Sequence, residues 1–175
     1  MHNKFLKKYY FIDKFDKSNL DIQEPNTTII YRNYKKNYKI EEILFLKYYC
    51  KKKKFRFLLS NNIKLSIKLN LDGSYIPSFN KSFIHLSYNF KREFLLIGSA
   101  HNLKEIRTKE KQDVKEIFIS SIFKNNNNFL GLKKFNLLSR YSNRKIIALG
   151  GISKKNIKLI DLTKAIGFAG ISYFR

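Results

Sequence analysis

Short apolar runs recur along this chain at intervals of roughly twenty residues, with amphipathic stretches between them, and this rhythm constrains the fold more than any other feature. The runs are Tyr9 to Ile12, Thr28 to Tyr31, Phe55 to Leu59, Ser74 to Ile76, Phe94 to Gly98, Glu116 to Ser120, Lys145 to Leu149 and Gly167 to Ser172. Most are bounded by Gly, Ser, Asn or Asp, the setting of buried parallel strands. Eight strand signals alternating with helical connections argue for a parallel sheet. Eight is also the number at which a TIM-type barrel closes, although an open doubly wound sheet satisfies the same alternation.

The chain has 175 residues, enough for one domain, 1–175, with a real core. A full barrel usually takes about 250 residues, so a compact (β/α)8 barrel with minimal loops is expected. The sequence ends directly after the eighth run, so this barrel is expected to lack its last helix. Strands eight and one would then expose apolar surface, and a homo-oligomer that buries this flank is expected.

The helical signals lie between the runs. Ile40 to Tyr49 is apolar at helical spacing, with Glu41 and Glu42 in the first turn. Asn62 to Asn70 places Ile63 and Ile67 on one face. Asn102 can cap a helix through Leu103 and Ile106, and Ser153 can cap one through Ile157 and Ile160. Asp16 to Ile22 and Phe83 to Tyr88 read as single turns. The polar patch Asn125 to Asn128 reads as a loop after the sixth strand.

Composition narrows the function classes. Thirty-six basic residues against 13 acidic ones give a net charge of +23, which favours a phosphoanion or nucleic-acid partner. The same excess arises when an AT-rich gene fills unconstrained surface with Lys, Asn and Ile. No nucleic-acid motif is visible, and the aromatics lie inside apolar strands, so nucleic acid is the less favoured partner. The densest basic run, Lys51 to Lys54, follows an apolar helix, where lysines suit the helix C-terminus. The single cysteine, Cys50, sits in that helix and reads as a buried thiol. One Cys and three His are too few for a structural zinc site. A reducing cytoplasmic compartment is expected. The longest apolar runs fall far short of the ~20 residues that cross a bilayer.

Four stretches carry a resemblance. Leu71-Asp72-Gly73-Ser74-Tyr75-Ile76 looks like "ADGVHIG", and Ile97-Gly98-Ser99-Ala100-His101-Asn102 like "IGVSAHN". Ile117 to Phe123 followed by Leu130-Gly131-Leu132 looks like "YIGVGPIF…LGL". Ile146 to Ile152, then Gly167 to Tyr173, looks like "VVAIGGI…GADGVAV". In this order and spacing they resemble the thiamine phosphate synthase/TenI family of thiamin biosynthesis. That family joins a pyrimidine diphosphate to a phosphorylated thiazole or, in its TenI branch, tautomerises the thiazole. The resemblance implies an active site at the C-terminal ends of the strands.

Residue by residue, the resemblance implies that Gly150 and Gly151 turn backbone N–H groups toward the thiazole phosphate, as glycine alone permits so close an approach. Gly170 and Ser172, after strand eight, would complete that end. Ser99 and His101 match the family's "SxH", and His101 would be the acid/base that moves a proton on the thiazole carboxylate. Arg32 matches the arginine of "QxRxK" and could clamp a phosphate or carboxylate, but Ile30 and Tyr34 replace its Gln and Lys. The two magnesium aspartates align with Asn61, in Ser60-Asn61, and with Asn80. The diphosphate loop "TxTK" aligns with Asn125, Asn127 and Asn128, and a slip of a few residues brings Lys124 into play. Magnesium ligands are therefore lost, no cofactor is firmly implied, and the thiazole half of the site is the better kept. The expected function is binding of a phosphorylated thiazole with a proton shift or weak coupling. The alternative is a non-catalytic ligand-binding or partner-binding barrel.

Overall fold

The computed structural model describes residues 6–34 and 39–175. Its strands are β1 (Lys7–Ile12), β2 (Thr28–Tyr31), β3 (Arg56–Ser60), β4 (Gly73–Ile76), β5 (Leu95–Ala100), β6 (Glu116–Ser120), β7 (Lys145–Leu149) and β8 (Gly167–Gly170). Each pairs in parallel with its neighbours in sequence, and β8 pairs with β1 from Lys7↔Gly167 to Tyr10↔Gly170. The sheet is a closed (β/α)8 barrel of the TIM type, so the open-sheet alternative is set aside. All eight expected strands are present, with ends shifted by a residue or two.

The pleat sends alternate residues to opposite faces. Tyr9, Phe11, Ile30, Leu58, Tyr75, Ile97, Phe118, Ile147 and Ala169 fill the interior. Phe118 sits at its centre, 5.0 Å from the Tyr9 ring, 5.9 Å from Phe11 and 5.7 Å from Tyr75. The intervening residues, such as Tyr10, Ile29, Phe57, Ile117 and Phe168, pack outward in the larger core. At the N-terminal end of the barrel the Glu116 carboxylate is buried, accepting from the Tyr9 hydroxyl and pairing with Lys7. A buried charge is tolerated when it is paired in this way. Burial, then the Glu116 charge, pushes the Tyr9 phenol far above its ordinary pKa.

Among the described residues five α-helices cover the barrel: α1 (Lys17–Asp21), α2 (Ile40–Lys52), α3 (Ile63–Lys68), α4 (Leu103–Lys111) and α5 (Gly131–Arg140). Asp16, Asn62 and Asn102 accept the N–H groups of Asn19, Leu65 and Glu105, satisfying donors that the first helical turn leaves open. Cys50 is fully buried under α2, and burial raises its thiol pKa to about 12, as a packing residue requires. Among the described residues no helix is long and apolar enough to cross a membrane.

Three expectations need correction. The connection between β6 and β7 carries α5, which the sequence reading did not mark as a helix. The helix expected from Ser153 is a 3-10 turn, Ile157–Leu162, whose start is shaped by Asn156 Oδ1 accepting the Ser153 N–H at 2.9 Å. The flank of β8 and β1 is not bare. Residues 171–175 fold back, so that Phe174 stacks on Tyr10 at 4.8 Å and on Phe168 at 5.8 Å, and all three are buried. Phe174 thus covers Tyr10 and Phe168 on this flank, while Ile22 and Leu162 stay exposed.

Candidate active site at the barrel mouth

Because every strand runs the same way, the loops that follow them gather at one end of the barrel, where TIM-type folds place their chemistry. Ser60, Ser99 and Gly170 lie at the C-terminal ends of β3, β5 and β8, and the other candidates except Ile30 lie in the loops that follow the strands. Ile30 belongs to the middle of β2 and is fully buried in the interior, so the family's polar group is replaced there by packing.

The best-formed part is the loop after β7. Gly150 and Gly151 have φ of 103° and 73°, a region that side chains rarely adopt. A Cβ on Gly150 would lie 2.4 Å from Ser121 Oγ, and one on Gly151 only 2.5 Å from the Lys124 nitrogen. The Gly150 carbonyl accepts the N–H groups of Phe123 and Lys124 at 2.9 and 3.2 Å. The Gly151 carbonyl accepts Asn156 Nδ2 at 2.9 Å. With both carbonyls held, the Gly150 and Gly151 N–H groups remain without an acceptor among the described residues. Such a pair of free amides on a fixed turn can receive an oxyanion. Gly170 lies beside this loop, facing the Ile152 carbonyl, and Ser172 is exposed in the turn that follows.

Lys124 belongs to this group through its backbone and is exposed, while Asn125, Asn127 and Asn128 lie in the exposed loop beyond it. Asn128 contributes only its carbonyl, which accepts the Ser121 N–H at 2.9 Å. The sequence raised Lys124 only as a slipped alignment. Asn156 was missed altogether, and a lone asparagine in a polar turn offers no signal for its role.

His101 follows β5 and is half-buried. Its backbone N–H donates to Glu105 Oε2 at 2.8 Å, and its Nδ1 lies 2.9 Å from the same oxygen. Glu105 is itself placed by the Asn102 cap of α4. A carboxylate on Nδ1 fixes the ring so that Nε2 is left to exchange a proton. Nε2 has no partner among the described residues. Glu105 is a second residue that sequence reasoning missed, although Asn-x-x-Glu at a helix start is a recognisable capping pattern.

The rest of the mouth is occupied by its own side chains. Tyr75 donates its hydroxyl to Ser99 Oγ at 2.8 Å, and burial drives its phenol pKa well up. Tyr34 Oη and Ser60 Oγ are 2.9 Å apart. The Arg32 guanidinium lies 4.6 Å above the Phe11 ring, a cation–π arrangement that leaves its edge available. Asn80 Nδ2 donates to Asn61 Oδ1 at 2.7 Å, so the two positions expected to have lost magnesium ligands do meet, as a satisfied amide pair. Two neutral amides committed to each other do not suit magnesium, which takes carboxylate and phosphate oxygens. Among the described residues no cluster of three His, Cys, Asp or Glu could hold a metal ion.

The loop carrying Asn80 is anchored from below. Lys109, fully buried on α4, donates through Nζ to the carbonyls of Pro77 and Asn80 at 2.8 Å and to Gln112 Oε1 at 2.9 Å. Gln112 Nε2 donates to the carbonyls of Asn80 and Ser82. Burial lowers the Lys109 ammonium to about 8.

Comparison with known proteins bears on the family and the fold. The pattern of the family described as thiamine monophosphate synthase (TMP-TENI) matches residues 20–174. A protein of Aquifex aeolicus described as "putative thiamine-phosphate synthase 2" is 32% identical over 130 residues, spanning 71% of this chain and 68% of its own. The thiamine-phosphate synthase of Methanococcus vannielii is 23% identical over 120 residues, 66% of this chain and 58% of that protein. Among solved structures, a thiamine phosphate pyrophosphorylase from Pyrococcus furiosus superposes with a TM-score of 0.75 at 18% identity. It covers 97% of this chain and 87% of that one, and at that identity it speaks for the fold alone.

Proposed function

This chain belongs to the thiamine monophosphate synthase family, and from that premise we propose that it binds a phosphorylated thiazole at the barrel mouth without magnesium and moves a proton on it through His101. The observation that carries the proposal is the Gly150–Gly151 turn, whose carbonyls are held and whose amides are free. The ligand's phosphate sits on these amides, with the Lys124 ammonium within reach from the next loop. Gly170 and Ser172 form the second wall, and Arg32 meets the ligand's carboxylate.

His101 then acts as one group in two steps. Nε2 takes a proton from the thiazole carboxylate ring system, and the resulting imidazolium, stabilised by Glu105, returns it at another atom of the same molecule. The bond to hydrogen broken at one atom is re-formed at the other while the ring double bonds shift to match, so the ligand is isomerised with no net redox change and neither metal nor co-substrate is required. Coupling to a pyrimidine diphosphate is the less supported reaction. The Asn61–Asn80 pair provides no charge to hold magnesium, and Asn125, Asn127 and Asn128 provide none for a diphosphate.

Isothermal titration with the phosphorylated thiazole carboxylate tests the reading. Saturable binding, equal with and without magnesium, is expected. In deuterated water, wild-type protein should introduce deuterium into the ligand, and His101→Ala should bind it without doing so. Absence of binding at millimolar ligand would overturn the proposal.

A further inference from the structure

One sizeable cavity lies away from the mouth. It lies at the opposite, N-terminal end of the barrel and has a volume of about 700 Å³. Its walls are the end of α2, the start of β3, the end of α3 and the 89–94 segment before β5. This volume falls in the range of small-molecule sites, about 300–1,000 Å³.

The chemistry of its walls is uneven. Lys47, Lys51, Lys54, Arg56 and Lys91 are among the residues that line it, with Asp72 and Glu93, and the Arg56 charge also acts on the Tyr9 phenol. Asp72 is already engaged, accepting the Phe57 N–H at 2.8 Å. Lys47 and Lys91 donate to the Leu69 carbonyl and Asn70 Oδ1. Lys51, Lys54 and Arg56 make no side-chain hydrogen bond or ion pair among the described residues. Of the basic run, Lys53 instead pairs with Asp21, so Lys51 and Lys54 are the two that line the cavity. Helix C-termini attract cations, but that accounts for lysines on α2 and not for Arg56 on β3 or Lys91 in the next loop.

A second feature lies on the wall opposite the free cations. Phe90 and Phe94 stack with centroids 5.2 Å apart and planes inclined by 17°, and Phe90 is 37% exposed. An aromatic platform in a cavity lined by cations suits a planar heterocycle joined to phosphates.

We propose that this cavity is a second ligand site, for a nucleoside polyphosphate. The base stacks on Phe90, the phosphates meet Lys51, Lys54 and Arg56, and Glu93 accepts from the sugar hydroxyls. The site shares no residue with the mouth and does not depend on the function proposed there.

ATP is the probe, at 0.15 M salt, where the diffuse attraction of a +23 chain is screened beyond about 8 Å. Titration should give one saturable site. The Lys51→Glu/Arg56→Glu variant and the Phe90→Ala variant should each bind at least tenfold more weakly. Lys133→Glu/Lys134→Glu, equal in charge change but on α5, should bind as wild type. In the unaltered protein, ATP should protect Lys51 and Lys54 from acetylation and leave Lys133 reactive, a readout that needs no variant. Equal weakening in both charge-reversed variants, or Phe90→Ala binding as wild type, would overturn the proposal. So would acetylation of Lys51 and Lys54 unaffected by ATP. Loss of phosphorylated-thiazole binding in Gly151→Val, with ATP binding intact, separates the two sites.

Discussion

A side chain on residue 151 would meet the Lys124 backbone at 2.5 Å in a conformation already unfavourable to it. Gly151→Val is therefore expected to cost about 1–3 kcal/mol of stability and to abolish binding of the phosphorylated thiazole, which denaturation and titration read separately. Lys109 gives a prediction in pH. Its ammonium titrates at about 8 in the folded protein and at 10.5 when unfolded. Between these values the unfolded chain holds more protons, so stability rises as pH increases from about 8 toward 10.5. Above 9 the buried Cys50 thiol, and above 10 the buried phenols of Tyr9 and Tyr75, act in reverse, because they stay protonated in the fold while the same groups ionise in the unfolded chain. Thermal midpoints should therefore climb and then fall, and Lys109→Met should flatten the climb while leaving the fall.

At the scale of elements, α4 joins fold and site, since the Asn102 cap that starts the helix also places the carboxylate against His101. Asn102→Ala should cost about 1 kcal/mol in chemical denaturation and slow proton exchange at the ligand. The strands were legible in the sequence because burial on both sides leaves apolar runs with few alternatives. α5 was not. The residue just before it, Leu130, offers no side-chain cap, and Lys133 and Lys134 interrupt the apolar positions Leu132 and Phe135. Ile157 and Ile160 misled for another reason, since a spacing of three fits a 3-10 turn as well as an α-helix. The glycine turn of the site could be read from a local motif. The Tyr75–Ser99, Tyr34–Ser60 and Asn61–Asn80 pairs could not, because barrel register, and not proximity in sequence, brings them together.

For the whole molecule, the consequential contact is Phe174 over Tyr10 and Phe168. Phe174→Ala should cost about 3–5 kcal/mol and expose those rings to a hydrophobic dye. A further exposed apolar patch lies on α2, at Leu44, Phe45 and Tyr48.

The pairing of β1 with β8 has one more consequence. A ring of strands has no privileged beginning, and Lys7 lies beside Gly167 although 160 residues of chain separate them. A covalent link between the two ends of the chain would make these sequence-distant strands neighbours in sequence as well. New ends cut in the exposed Asn125–Asn128 loop would keep every ladder and free only the segment that rests on the glycine turn. Such a permuted chain would separate what folds the molecule from what lets it hold a phosphate.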